Sequence, residues 1–416
     1  MRTLSTLRFL PAAALATLAA AQTPNNLIAL TRNTPMVYQR DHTACVTLAP
    51  CVPAGFPVAP PVPYAGGTAW DPIRNAAVIS NGFLIAEVDP TTCAYVCPPT
   101  PAPTLSPNAM VTGLEFVESL NQIWMLDSFG ILYQLQYACP PTVLTTCNTG
   151  LPLTATNATG GLAVDECNQL VFYSYTNWTT GANVVHVASM ANPCLTIQLA
   201  VPTGCSTSTA PFRGITGLAV DGCRNVLYMT DGAQTIGWNY NVLPGPVVAF
   251  GTQSCCLLPM PAGDLMIGLG VRSGRETSVG SPCASGACPL CPMVHRLGNS
   301  PNLGNLNFHL DLDQAPTNAL AWCAIGIGPC SAAGPIAVPF CGPLLIGPLA
   351  VLLGWNITSA GLPCTGFTTF NQPLPMMPSL CGLIASSQCA AICIDPATGA
   401  VGYAMSNCIS WEVQSN

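Results

Sequence analysis

The chemistry available to this chain lies first in its sulfur. Twenty-three cysteines, an odd number, stand among 416 residues, against only four histidines, His42, His186, His295 and His309. The tightest grouping is "CASGACPLCPMVH", which sets Cys283, Cys288, Cys291 and His295 in the spacing C-x4-C-x2-C-x3-H. Three thiolates and an imidazole so close together can wrap a tetrahedral zinc ion. The competing use of the same cysteines is disulfide bonding, and in an exported chain with many further cysteines that use is favoured. Cys288 and Cys291 also lack the βαβ surroundings of a redox C-x-x-C motif. The other disulfide candidates are Cys45, Cys51, Cys93, Cys97, Cys139, Cys147, Cys167, Cys194, Cys205, Cys223, Cys255, Cys256, Cys323, Cys330, Cys341, Cys364, Cys381, Cys389, Cys393 and Cys408. The odd count leaves at least one thiol free or bonded to another chain.

Acids are the second resource. Asp71, Asp165 and Asp221 recur at equivalent places in repeated phrases and, if they converge, could hold a metal; the alternative is that each caps the turn that follows it. Asp311 and Asp313 in "NFHLDLD" share a strand face by their spacing of two, so they can act as paired acids or calcium ligands, or simply face solvent. No H-E-x-x-H, no G-x-S-x-G and no glycine-rich phosphate loop leading into a helix occurs. Three N-x-T sequons stand at Asn157, Asn177 and Asn356.

The elements that must position these groups repeat. "GLAVDECNQLVFY" from Gly161 and "GLAVDGCRNVLY" from Gly217 are close copies, and looser ones begin at Gly67, Gly113 and Gly268. The leading glycines lie 46, 48, 56 and 51 residues apart. Each copy holds a Gly-led strand, a tight turn with Asn (Asn75, Asn121, Asn168, Asn225), a strand rich in aromatic and β-branched residues, a second turn and a third strand. A period near 50 residues predicts repeated four-stranded sheets, most simply the blades of a β-propeller. The segment from Asn26 begins mid-phrase and the copy at Gly268 lacks successors. Their complementarity predicts about five blades, the last completed by N-terminal strands so that no sheet edge is left open at the closure. Six blades remain an alternative.

Cysteines bracket the outermost segment of several repeats: Cys45 and Cys51, Cys93 and Cys97, Cys139 and Cys147, Cys194 and Cys205. Residues four apart on an extended strand are separated by about 13 Å, beyond disulfide reach. Cys93 and Cys97 therefore pair across a turn or each reach a neighbouring strand. Either arrangement places staples on blade rims.

The chain opens "MRTLSTLRFLPAAALATLAAAQ", with Arg2 and Arg8 as a basic head, an apolar run and a small-residue site at Ala19–Ala21. This predicts a secretory signal peptide over residues 1–21. The run is too short to span a bilayer, and no later segment is long enough, so no membrane insertion is expected. Charged residues are 6% of the chain, against about 25% in ordinary soluble domains. There is no lysine; of ten arginines two lie in the leader, so eight face 17 carboxylates. That balance excludes a basic, phosphate-tracking surface and with it nucleic acid as a partner. Sparse charge also weakens repulsion between copies.

The Gly-x-x-x-Asp strand followed by an aromatic "LY" strand resembles NHL-type and lipoprotein-receptor-type propellers over about residues 26–272. Val117 and Arg272 depart from the pattern at the Asp position. Lactonase-type propellers hold a metal with central acids, which is what Asp71, Asp165 and Asp221 would imply by that likeness. Residues 273–300 read as a Cys-rich linker. From 301 to 416, short strands between Pro and Gly turns predict a β-sandwich. "GNLNFHLDLDQAPTNALAWCAIG" with the ending "QCAAICIDPATGAVGYAMSNCISWEV" resembles a C-terminal module of exported proteins of planctomycete-type bacteria. The resemblance implies export and no established activity.

The expected molecule is a secreted, all-β, non-enzymatic binding or structural protein with no cofactor. Its expected partners are copies of itself, assembled into a filament or surface layer, or another extracellular protein or glycan. The competing classes are a propeller hydrolase or lyase and a carbohydrate-binding protein. For the latter, Trp70, Trp124, Trp178 or Trp238 would stack on sugars if exposed.

Overall fold

In the computed structural model the chain is all-β. The structure describes residues 26–413 apart from 43–44, 48–49, 61, 63, 73, 75, 152–156, 167, 178, 203–213, 223, 244–246, 258–263, 272–276, 299–300, 302, 331–340, 348–350 and 376. The predicted signal peptide, Asn75, Cys167, Trp178, Cys205, Cys223 and Arg272 therefore lie outside the described residues.

The repeated phrases form antiparallel sheets in chain order. The strands are β1 (Asn26–Thr31), β2 (Val37–Asp41) and β3 (Val46–Thr47); then β4 (Gly67–Asp71), β5 (Ala76–Ser80), β6 (Leu84–Val88) and β7 (Tyr95–Pro101). Next come β8 (Val111–Val117), β9 (Gln122–Asp127), β10 (Ile131–Gln136) and β11 (Thr142–Asn148), followed by β12 (Asn157–Asp165), β13 (Leu170–Asn177), β14 (Ala182–Ser189) and β15 (Asn192–Ala200). The last set is β16 (Gly217–Asp221), β17 (Val226–Thr230), β18 (Gln234–Leu243) and β19 (Val247–Leu257), and β20 (Met266–Val271) follows it. β4–β7, β8–β11, β12–β15 and β16–β19 are four sheets of consecutive strands, and the fifth has the order β20-β1-β2-β3. Leu27 pairs with Val271, and Ile28 with Gly270, so the two ends of this segment close one sheet.

Among the described residues, the first turns of three repeats use a left-handed residue to reverse the chain. Asn121 and Asn225 have φ of 52°, which Asn tolerates better than most residues. In the β12–β13 turn the left-handed residue is Gln169, at φ 56°, not Asn168 as the sequence pattern predicts. Counting from the aspartates shows why: Asn168 stands where Arg224 does, three residues after its Asp, and Gln169 where Asn225 does.

The inner strands β4, β8, β12, β16 and β20 adjoin one another in a propeller-like ring, β20 meeting β4. The core lies between neighbouring sheets rather than inside any one. Val78 and Ile85 of one sheet pack with Leu114, Ile123 and Met125 of the next. The same arrangement recurs at the interfaces built on Trp124 with Tyr173, Phe172 with Trp238, Tyr228 with Leu269, and Ile28 with Trp70.

A second set of sheets follows. β21 (Thr277–Val279), β22 (Cys283–Ser285) and β23 (Val294–Leu297) precede β24 (His309–Ala315), β25 (Leu320–Ile327), β26 (Val351–Ile357), β27 (Gly366–Asn371), β28 (Ile384–Ile394) and β29 (Val401–Glu412). One sheet has the order β21-β29-β28-β25-β26, with β22 also on β29, and the other the order β23-β24-β27. Residues 273–300, expected as a linker, thus supply three strands, which pair with β29 and β24. The two sheets share a core in which Phe308, Leu310 and Phe370 meet Ala321, Ile409 and Trp411. Arg224 of the ring joins the two sets of sheets: it contacts Glu412 of β29 at 3.0 Å and its own Asp221 at 2.6 Å.

Candidate functional site

The ring axis is where a propeller enzyme would place its acids. Here it is closed by backbone. A Cβ on Gly161 would stand 2.5 Å from the Leu218 nitrogen, and one on Gly268 would stand 2.6 Å from the Gly67 carbonyl carbon. Gly113 and Gly217 face the same limit against Leu162 and Leu269. The leading glycine of each phrase lets adjacent inner strands touch main chain to main chain.

The repeated aspartates do not converge; each is consumed by its own turn. Asp71 accepts from the Arg74 N–H (3.1 Å) and from the Tyr137 hydroxyl of the next sheet. Asp165 accepts from the Asn168 N–H (3.1 Å) and side-chain amide (2.6 Å), and from the Tyr240 hydroxyl of the next sheet (2.5 Å). Asp221 accepts from the Arg224 N–H at 3.1 Å and its guanidinium at 2.6 Å. Burial pushes the Asp165 carboxyl upward against these hydrogen bonds. The departure at Val117 is compensated from outside: Glu166 of the next sheet accepts from the N–H groups of Glu118 (2.7 Å) and Ser119 (2.9 Å). Sequence reasoning missed Glu115, which occupies the small-residue position of β8. Burial pushes its carboxyl well above the usual range, but among the described residues no cluster of acids able to hold a metal surrounds it.

The tryptophans offered for sugar stacking are interior. Trp70, Trp124 and Trp238 are buried in the interfaces between sheets, where their flat area fills the gap between neighbouring sheets.

The rim cysteines pair between neighbouring sheets. Cys51 bonds Cys93, Cys97 bonds Cys139, and Cys147 bonds Cys194, at sequence separations of 42, 42 and 47. Cys45 bonds Cys256, which ties the first segment to the last sheet. The bracketing cysteines are therefore not partners of each other; each described one reaches a neighbouring repeat. Cys255 is also disulfide-bonded.

The zinc reading of Cys283, Cys288, Cys291 and His295 fails as drawn. The three cysteines point to separate partners, Cys341, Cys393 and Cys364. They lie on different strands and turns, so closeness in sequence does not become closeness in space. Cys330 bonds Cys408, and Cys381 is also disulfide-bonded. Of the two acids in "HLDLD", Asp313 pairs with Arg296 at 2.6 Å, while Asp311 is largely buried, its carboxyl pushed up by burial. They do not form a shared site.

His295 instead meets two other cysteines. Among the described residues, the group able to hold a metal ion is His295, Cys323 and Cys389, whose ligand atoms lie within 4.8 Å of one another. All three are buried. Cys323 and Cys389 are directly opposite on β25 and β28 and are free thiols. The imidazole Nδ1 donates to the Asp311 carbonyl at 3.0 Å, and Nε2 lies 2.8 Å from the Ser387 Oγ. The Cys323 Sγ is 3.8 Å from Nε2 and the Cys389 Sγ 3.4 Å from Nδ1. Burial pushes the Cys323 thiol up, but its contacts with Cys389 and His295 outweigh that and bring it down to about 6. Burial and then the neighbouring sulfur hold Cys389 well above the usual thiol range. The sequence pattern links these three residues to no common motif; the available signal is that Cys323 and Cys389 sit inside apolar runs rather than beside Pro and Gly turns.

Two edge strands carry apolar residues outward. On β15 and just beyond it, Leu195, Ile197, Leu199 and Val201 are 58%, 38%, 60% and 65% exposed. The alternate residues turn inward: Thr196 bonds Tyr173 and His186, and Gln198 bonds both backbone groups of Val248. On β26, Leu352, Trp355 and Ile357 are 65%, 55% and 71% exposed. Both strands end their sheets.

No family model matches the chain, and no curated protein matches it. Solved structures similar to it include a protein of unknown function from Bacteroides caccae, at 8% identity and a TM-score of 0.34, over 56% of this chain and 73% of that one. Another is the β-propeller domain of Myceliophteria thermophila Cps50 (Swd1), at 9% and 0.32, over 54% and 69%. A third is the WD40 domain of Toxoplasma gondii coronin, at 8% and 0.31, over 62% and 61%. The architecture rests on sheet order and axis contacts, not on these distant likenesses. Among the described residues, no helix is long and apolar enough to cross a membrane, and the many disulfides fit an extracellular protein.

Proposed function

We propose that this chain is an exported, non-enzymatic scaffold that associates with copies of itself. In this reading residues 1–21 are removed on export. The five four-stranded sheets are the blades of a five-bladed propeller, and the two later sheets form a β-sandwich that starts near residue 277. The observation that carries self-association is the inverted patterning of β15, whose apolar residues face water while Thr196 and Gln198 face the body. An open edge with outward aliphatic residues is what native sheets normally avoid by charge or proline. β26 presents a second such edge on the sandwich, with Trp355 and Ile357. Edge strands bind by extending a partner's sheet. Two different edges on one chain give a head-to-tail contact, which propagates into a filament unless it closes into a ring. The sparse charge lowers the repulsion such packing must overcome.

The test is sedimentation velocity and negative-stain microscopy of the mature chain, with Leu199→Lys and Ile357→Lys as separate variants. Concentration-dependent assemblies are expected for the parent and monomers for each variant, with unchanged circular dichroism. A parent chain that stays monomeric at every concentration would overturn the proposal.

A further inference from the structure

We infer that Cys323, Cys389 and His295 form a structural zinc(II) site in the core shared by the two later sheets. Their arrangement matches what zinc ligation needs. The histidine Nδ1 donates to the Asp311 carbonyl at 3.0 Å, which fixes the tautomer and leaves Nε2 as the lone-pair nitrogen. Ligating histidines characteristically hold their second ring nitrogen this way. The Cys323 Sγ stands 3.8 Å from Nε2. A tetrahedral ion with Zn–S of about 2.3 Å and Zn–N of about 2.0 Å separates such ligands by roughly 3.5 Å. Cys389 lies opposite Cys323 across β25 and β28; its sulfur stands 3.4 Å from Nδ1, and the ligand atoms of the three residues lie within 4.8 Å of one another. The Ser387 Oγ, 2.8 Å from Nε2, supplies the fourth ligand, an oxygen.

Charge selects the ion. Binding replaces the two thiol protons: one zinc(II) ion and two thiols give a neutral bis-thiolate imidazole centre and two released protons. A neutral centre suits a site closed to water on all sides, where any net charge is costly. The ligands come from β23, β25 and β28, so the ion would bridge the two sheets.

The mature full-length chain, produced with zinc present, is assayed for metal by elemental mass spectrometry, and its thiols are mapped by alkylation and peptide mass. About one zinc per chain is expected, with Cys323 and Cys389 alkylated only after denaturation in a chelator. Cobalt(II) exchanged into the site should show thiolate-to-cobalt charge-transfer absorption. Cys323→Ser should remove the bound metal while leaving the disulfide map unchanged. If that variant fails to fold, the parent decides: a Cys323–Cys389 disulfide, or two reduced thiols that take up no zinc from excess, overturns the site. Neither result bears on self-association, which is read from sedimentation.

Discussion

The ring and the later pair of sheets use cysteine in opposite ways. In the ring, each described disulfide joins two neighbouring sheets at the rim, and the inter-sheet cores lie inward of it. In the later sheets, bonds at separations of 58, 105, 73 and 78 tie the early strands and turns to later segments, two of them to β28 and β29, and two thiols are kept inside the core. The difference follows from how each part buries its surface. A repeat packs on both neighbours near the axis and splays at the rim, so covalent links help where packing is thinnest. Sheets built of short, Pro- and Gly-broken strands need their pieces held in place around one central core.

This contrast can be broken in three ways. The largest effect is expected from opening the ring. Cys45→Ser with Cys256→Ser removes the bond of longest separation, 211 residues, and should cost about 4–5 kcal/mol. The Cys51–Cys93 pair, at 42, should cost about 3–4 kcal/mol. Chemical denaturation of the two double variants checks the order; equal losses would show that ring closure adds nothing. Next is the axis. Gly161→Ala places a methyl 2.5 Å from main chain, which cannot yield as a side chain can, so about 3 kcal/mol is expected. Gly354→Ala on β26 meets nothing within 4 Å and should change stability by less than about 0.5 kcal/mol. Thermal unfolding compares them.

The smallest effect sharpens the comparison by pH. His186 is buried between Tyr173 and Thr196, and burial brings it down from 6.5 to about 4. The unfolded chain therefore takes up this proton at higher pH than the folded one. Stability is full above about pH 6.5 and falls as the pH drops toward 4, by about 2–3 kcal/mol. His186→Gln should flatten that part of the profile, measured by denaturation midpoints across the range.

Much of the ring is legible in the sequence because one residue states its constraint. A glycine heading each inner strand is required where two backbones touch, and the same strand's aspartate is required where its turn needs an acceptor. Even the exception at Val117 is intelligible once Glu166 is seen to reach across. The one-residue shift at Asn168 shows where local pattern runs out: two polar neighbours can exchange the left-handed position without altering the phrase. Disulfide partners and the thiol–imidazole cluster were not legible, since spacing along a strand says nothing about which strand lies beside it. His295 stands four residues from Cys291 yet works with residues 28 and 94 positions away.

The sheet made of β20 and β1–β3 carries a consequence for synthesis. β1 emerges early, but its partner β20 emerges only after four further sheets have been made. Until then β1 is an apolar strand with one side unpaired, and the ring is an open chain of repeats. Closure is thus a late, long-range step, slow by its loop length and exposed to mispairing between nascent chains. The same edge that seals the finished molecule sets the window in which it is most vulnerable to its own copies.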